Sequence, residues 1–248
     1  CGEETALISS CEGLRGDPKT RPPFPAQKGY LESPTCVNNV ETLCCVPPII
    51  EKGADWFAAM GTPKTSTGTK LLSIAGDCSK PGVYEFEFGV SLRDMLAACG
   101  AENTKAVQVG GPSGRMVNAD GFHRIICFDD LATGGSIMVF DQSRNAVEIA
   151  QQFMEFFCEE SCGYCTPCRV GNVLLKDRLE ELLDGHGGID DLTYLQDLGR
   201  TITVASRCGL GQTSANPVLT TIEQFPADYE QLFETGDDGH AFLPRFDL

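Results

Sequence analysis

The chain has 248 residues, 42% of them hydrophobic, enough for one large domain or two to three small ones with real cores, which excludes a disordered chain. Thirty-five acidic residues against 19 basic ones give a formal charge of -16, which repels nucleic-acid phosphates and anionic membrane surfaces and excludes both as expected partners. The acidity fits plain solubility and the choice of a basic protein partner alike.

Apolar residues nowhere run uninterrupted for about 18 positions, and the opening CGEETALISS lacks the basic start and apolar stretch of a secretory signal. The expectation is a soluble, cytoplasmic protein without direct membrane insertion. Thirteen cysteines are many for such a chain, and an odd number sits poorly with a purely disulfide framework. Metal or redox chemistry is therefore expected of some. Cys44, Cys45, Cys99 and Cys127 stand among apolar neighbours and are expected as small core residues.

In chain order, residues 1–66 are rich in glycine and proline (Gly2, Gly13, Gly16, Pro18, Pro22, Pro23, Pro25, Pro34) and predict a loop-rich segment with one helix near Asn39 to Gly53. TKLLSIAG and GVYEFEFG read as strands around a Lys80-Pro81-Gly82 turn. SLRDMLAACG is a helix opened by Ser91 and closed by Gly100, and KAVQVGG and SIMVFD are further strands. This order predicts a small sheet with one helix across it. From Ser143 the apolar spacing becomes helical in AVEIAQQFMEFF, VGNVLLKDRLEELL and LTYLQDLGRTITVA. Asp190 marks an N-cap region, and a last helix is expected from Asn216-Pro217. Four antiparallel helices with short connections make a bundle, and GDDGHAFLPRFDL is an aperiodic tail.

The sharpest motif is SCGYCTPCR, which places Cys162, Cys165 and Cys168 in a C-x2-C-x2-C run, with Cys208 following in SRCGLG. Three thiolates from one loop and a fourth from a distant segment suit an all-cysteine 4Fe-4S cluster. Tetrahedral structural zinc is the alternative, although zinc ribbons usually present two separated C-x2-C pairs. The helix pattern lets all four cysteines meet at one end of the bundle. Arg169 and Arg207 flank ligands; they are either cations that favour the reduced cluster or solvated surface arginines.

At the other end, Glu3 and Glu4 follow Gly2 at a predicted turn. Asn38 and Asn39 stand side by side at a helix start, where they serve as an N-cap or hold a phosphate or polar ring edge. Taken together, CGEETALISSCEGLRGDPKTRPPFPA, PTCVNNVETL, ESCGYCTPCR and RCGLGQTSANPV resemble the family of NADH-oxidising flavoprotein subunits, from residue 1 to about 225. That family includes the 51 kDa subunit of respiratory complex I and the diaphorase subunits of NAD-reducing hydrogenases and NAD-dependent formate dehydrogenases.

The resemblance implies an α+β chain: a carboxy-terminal remnant of an FMN/NADH-binding α/β domain (1–66), a beta-grasp-like domain of the soluble-ligand-binding type (67–142), a four-helix bundle holding the 4Fe-4S cluster (143–235) and a tail (236–248). It implies that Gly2, Glu3 and Glu4 border FMN, that Val37, Asn38, Asn39 and Thr42 contact it, and that Gly209 and Leu210 approach its ring edge. Glu4 would also touch the nicotinamide end of NAD(H), and Phe24 would stack on adenine, unless it is only an exposed loop aromatic. Arg21 replaces a lysine of the family, keeping charge but not shape.

The implied activity is NADH:acceptor oxidation, with electrons passing through FMN and the cluster to adjacent iron-sulfur subunits. No residue is assigned as catalytic acid or base, since hydride transfer needs none. His123, His186 and His240 are expected at the surface. GLGQTSANPV is closer to the hydrogenase and formate dehydrogenase diaphorases than to the respiratory NADH:quinone oxidoreductase subunit; a non-enzymatic, zinc-stabilised binding module is the rival of another class. The family's upstream glycine-rich loop does not precede CGEET here. The resemblance thus implies a piece of a longer polypeptide, expected to hold the cluster and to bind FMN weakly by itself.

Overall fold

The computed structural model describes residues 2–233; the expected tail at 236–248, with His240, lies outside the described residues. The chain opens with α1 (Glu4–Cys11), α2 (Val40–Lys52) and α3 (Ala54–Ala59). The Glu3 carboxylate caps α1, accepting from the N–H groups of Thr5 and Ala6 at 2.9 and 3.0 Å. What the glycine pattern suggests as a turn is therefore a helix start, because a carboxylate two or three residues upstream satisfies the free amides. Asn39 caps α2 and Gly53 closes it, as its sequence predicts.

A five-stranded mixed sheet follows. Its strands are β1 (Thr69–Gly76), β2 (Gly82–Glu87), β3 (Thr104–Val109), β4 (Arg115–Asn118) and β5 (Ser136–Asp141), in the order β2-β1-β5-β3-β4. Only β1 and β5 pair in parallel. The sequence reading has four strands; β4 escapes it because four residues between Gly114 and a 3-10 turn carry too little alternation to read. In β1, Lys70, Leu72 and Ile74 are buried between more exposed neighbours, the period of a strand with one covered face. α4 (Leu92–Cys99), capped by Ser91 and ended by left-handed Gly100, lays Leu92, Met95, Leu96 and Cys99 on Leu72, Ile74, Val107 and Val139.

The opposite face meets the helical region through Ala106, Met116, Ile149, Phe153 and Phe225. There α5 (Ala146–Glu160), α6 (Thr166–Leu183), α7 (Ile189–Ala205) and α9 (Asn216–Gln224) share a core that includes Met154, Phe157, Leu175, Leu179, Leu195, Ile202 and Ile222. Two short helices not expected from sequence, α8 (Gly209–Ser214) and α10 (Pro226–Glu230), complete it. The N-cap of α7 is Gly188, not Asp190; Gly188 N–H donates to the Asp191 carboxylate at 2.7 Å. Helix α9 covers the edge of β4: Met116 N–H donates to Thr220 Oγ1 at 3.1 Å, and the Asn118 amide donates to the Gln224 carbonyl at 3.3 Å. Among the described residues no helix is long and apolar enough to cross a membrane.

Of the cysteines expected in the core, Cys99 and Cys127 are buried, whereas Cys44 is exposed and Cys45 half-buried. Helix α2 buries no residue; Cys45, Pro48 and Ile49 are half-buried, and Val40, Leu43, Val46 and Ile50 are exposed.

Candidate metal and cofactor centre

The SCGYCTPC segment leaves α5 at Ser161, turns through left-handed Gly163 and enters α6 with Cys165 at its N-cap. Pro167 fits the first turn of α6, where its missing N–H costs nothing. Cys168 therefore lies inside the helix and is buried, while Cys162 and Cys165 are half-buried. Cys208 caps α8 after the end of α7. Close helix packing brings the segments together. Gly171 of α6 leaves room for Ile202 of α7, which would stand 2.5 Å from an added Cβ, and a Cβ on Gly211 would lie 2.4 Å from Ser206 Oγ and 3.0 Å from Cys168 Cβ.

All four cysteines line one cavity of about 350 Å³ together with Gly2, Glu3, Ala6, Tyr164, Gly209 and Leu210. Burial pushes the Cys168 thiol up; the Ser161 hydroxyl opposes this, and the nearby Cys165, Cys208 and Cys162 thiols add to the rise. Neighbouring thiolates repel one another, which raises the proton affinity of each, and a cation between them removes that cost. Among the described residues no three His, Cys, Asp or Glu side chains close tightly enough to hold a single metal ion.

Arginines frame the loop. Arg15 donates to the Cys162 carbonyl at 2.5 Å and Arg169 to the Gly163 carbonyl at 2.7 Å. Arg207 stacks 4.1 Å from the centre of the Tyr164 ring and donates to Thr20 Oγ1 at 3.0 Å. Arg169 and Arg207 are thus tied into the cysteine segments rather than freely solvated. Arg15 and Tyr164 carry no sequence signal beyond lying near a glycine and a cysteine.

Of the other residues singled out by sequence, Gly2, Glu3, Gly209 and Leu210 reach the cavity. Glu3 Oε1 is buried without a hydrogen bond, although Arg21 stands 3.3 Å away as its ion partner. Arg21 also donates to Glu4 at 2.6 Å and lies 6.0 Å from the ring centre of exposed Phe24. Val37, Asn38, Asn39 and Thr42 do not line this cavity. Asn38 donates to Cys36 Sγ at 3.0 Å and Asn39 accepts from Glu41 N–H at 3.4 Å, so the helix-cap role of Asn39 is realised. His123 and His186 are exposed, as expected.

Residues 148–232 match the model of the NADH-ubiquinone oxidoreductase-F iron-sulfur binding region. The alpha subunit of the NAD-reducing hydrogenase HoxS from Cupriavidus necator is 50% identical across 100% of this chain, and the F subunit of NADH-quinone oxidoreductase in Mycobacterium bovis is 38% identical across 99%. The chain belongs to the family of NADH-oxidising flavoprotein subunits. Another relative, HndC of the NADP-reducing hydrogenase in Solidesulfovibrio fructosivorans, is 45% identical over 93% of the chain. A crystal structure of an NAD+-reducing NiFe-hydrogenase in the H2-reduced state superposes with a TM-score of 0.91 at 44% identity, over 96% of this chain and 42% of that one. The chain spans 41% of the HoxS alpha subunit, 49% of HndC and 57% of the Mycobacterium protein. The residues that match the iron-sulfur binding region include all four cysteines of the cavity.

Proposed function

We propose that this chain is the electron-relaying part of an NADH:acceptor oxidoreductase subunit, with Cys162, Cys165, Cys168 and Cys208 as ligands of a 4Fe-4S cluster. One observation carries the reading: the four cysteines, from two segments far apart in sequence, line the same cavity as Gly2, Glu3, Gly209 and Leu210. The donor set fits the cluster, since soft thiolates select iron-sulfur or zinc sites. The spacing favours the cluster, since zinc ribbons usually present two separated C-x2-C pairs and this chain has one C-x2-C-x2-C run with a distant fourth cysteine.

When bound, FMN accepts hydride from NADH and the cluster takes electrons singly. The residues of this chain do the positioning. Gly2 adds no side chain at the cavity mouth, where an added Cβ would meet nothing within 4 Å. Glu3, whose Oε1 is ion-paired with Arg21, lines the same space, and Gly209 and Leu210 stand next to the ligand Cys208. Glu4, Arg21 and Phe24 form one connected surface that we assign to NAD(H). Val37, Asn38, Asn39 and Thr42 would complete the FMN side. In this reading residues 1–66 serve FMN and NAD(H), the sheet with its single helix (67–142) is a beta-grasp-like domain, and 143–235 is the four-helix bundle that holds the cluster.

Adjacent iron-sulfur subunits are the proposed electron acceptors, in the cytoplasm. The higher identity to the two hydrogenase subunits than to the quinone oxidoreductase protein favours an NAD-linked hydrogenase over the respiratory enzyme. Anaerobic loading with iron and sulfide tests the reading. A brown protein with equal iron and sulfide is expected, and Cys208→Ala should lose most of both; a colourless protein that takes up zinc alone would refute it.

A further inference from the structure

The four thiols are not equivalent. Cys168 is only 5% exposed and, among the described residues, is the one of the four whose sulfur meets side-chain hydrogen-bonding groups. Ser161 Oγ lies 3.3 Å from it and Asn172 Nδ2 3.5 Å. A thiolate sulfur can only accept, so both groups act as donors to Cys168 once it is deprotonated. Gly163 N–H donates to Ser161 Oγ at 3.2 Å, which occupies a lone pair and leaves the hydroxyl proton free for the sulfur. Ser214 Oγ lies 2.7 Å from Asn172 Oδ1 and 3.2 Å from the Gly211 carbonyl; the shorter contact takes its proton to Oδ1 and turns the amide N–H toward Cys168. Asn172 and Ser214 are both fully buried, one on α6 and one on α8.

A buried amide among the leucines of this core is unfavourable unless each polar atom finds a partner. Here the partner of its N–H is a sulfur that becomes negatively charged once it binds iron. Donors aimed at a thiolate stabilise the form with more negative charge, and hydrogen bonds to cluster sulfurs are a recognised lever on potential.

We propose that Asn172, oriented by Ser214, is a positioning residue that, together with Ser161, makes Cys168 the donor-rich ligand and raises the reduction potential of the cluster. This rests on the reading of Cys168 as a ligand. The test is a redox titration of the cluster-loaded holoprotein followed by EPR, after iron and sulfide have been assayed. Asn172→Leu keeps the shape and removes the donor; it is expected to load like wild type and to be reduced at a more negative potential. Ser214→Ala, which frees the amide to turn, should shift it the same way by less.

A loaded Asn172→Leu protein with the wild-type potential overturns the inference even if its thermal stability falls, because that is a structural role alone. Should Asn172→Leu fail to load, Asn172→Asp, which keeps an acceptor for Ser214 but points an oxygen at the sulfur, and Ser214→Ala decide the matter: unchanged potentials in both overturn it. A wild-type protein that takes up no cluster overturns the ligand reading, and this inference with it, at the assay stage.

Discussion

The helical region and the amino-terminal segment are held in place by different physics. Around the cysteines, α5, α6, α7 and α9 bury a continuous apolar core, and a methyl added to one of its glycines would collide with a neighbour. In the amino-terminal segment α1 buries four residues, α2 and α3 none. Val40, Leu43, Val46 and Ile50 of α2 are exposed. The segment is attached chiefly by polar bonds: Arg15 to the Cys162 carbonyl, Arg207 to Thr20, and Glu41 to Lys70 and Leu71 N–H. The cysteine-lined end is therefore built for fixed geometry, whereas the amino-terminal segment depends on a few directional contacts.

The largest contrast is expected in the two hydrophobic sets. Leu179→Ala empties a fully buried site and should cost about 2–5 kcal/mol in chemical denaturation. Ile50→Ala on α2, where the side chain is 79% exposed, should stay within about 0.5 kcal/mol. Equal effects would mean that α2 is packed in solution by something that shields it.

Glycines sharpen the same contrast. Gly211→Ala drives a methyl into Ser206 and toward Cys168, a strain of about 1–3 kcal/mol that should lower iron content per chain. Gly2→Ala has open space and should leave stability and iron content unchanged, as calorimetry and an iron assay would show.

The smallest effect concerns pH. Burial pushes the Glu41 carboxyl up, but the Leu71 N–H and the Lys70 ammonium outweigh it and hold it below its ordinary value of 4.5. A depressed folded value means that the tether is at full strength above pH 4.5 and is lost as pH falls through the lower folded value. Limited proteolysis should therefore cut within residues 12–66 faster at low pH while the helical core persists, and Glu41→Gln should cut at the same raised rate at both pH values.

Sequence made the meeting of the four cysteines at one cavity legible through their spacing and the helix pattern, and the helix from Asn39 to Gly53 because both caps are written in residue types. It hid what depends on distant partners. The helix at Glu4 needs Glu3 to reach over two amides, β4 needs β3 and Thr220, and α8 runs through two glycines that periodicity takes for loop. The placement of Cys44 on the surface was hidden for the same reason: an apolar stripe reads alike whether or not anything covers it.

The shielding of β4 by α9 has a practical consequence. A sheet fragment expressed without its helices would leave the Met116 N–H without its Thr220 partner and bare the apolar face that Phe153 and Phe225 now occupy. Such a rim recruits another strand, so excising residues 67–142 invites edge-to-edge assembly. For dissection of this protein, the last helices are the sheet's own cover and belong in any clone that carries it.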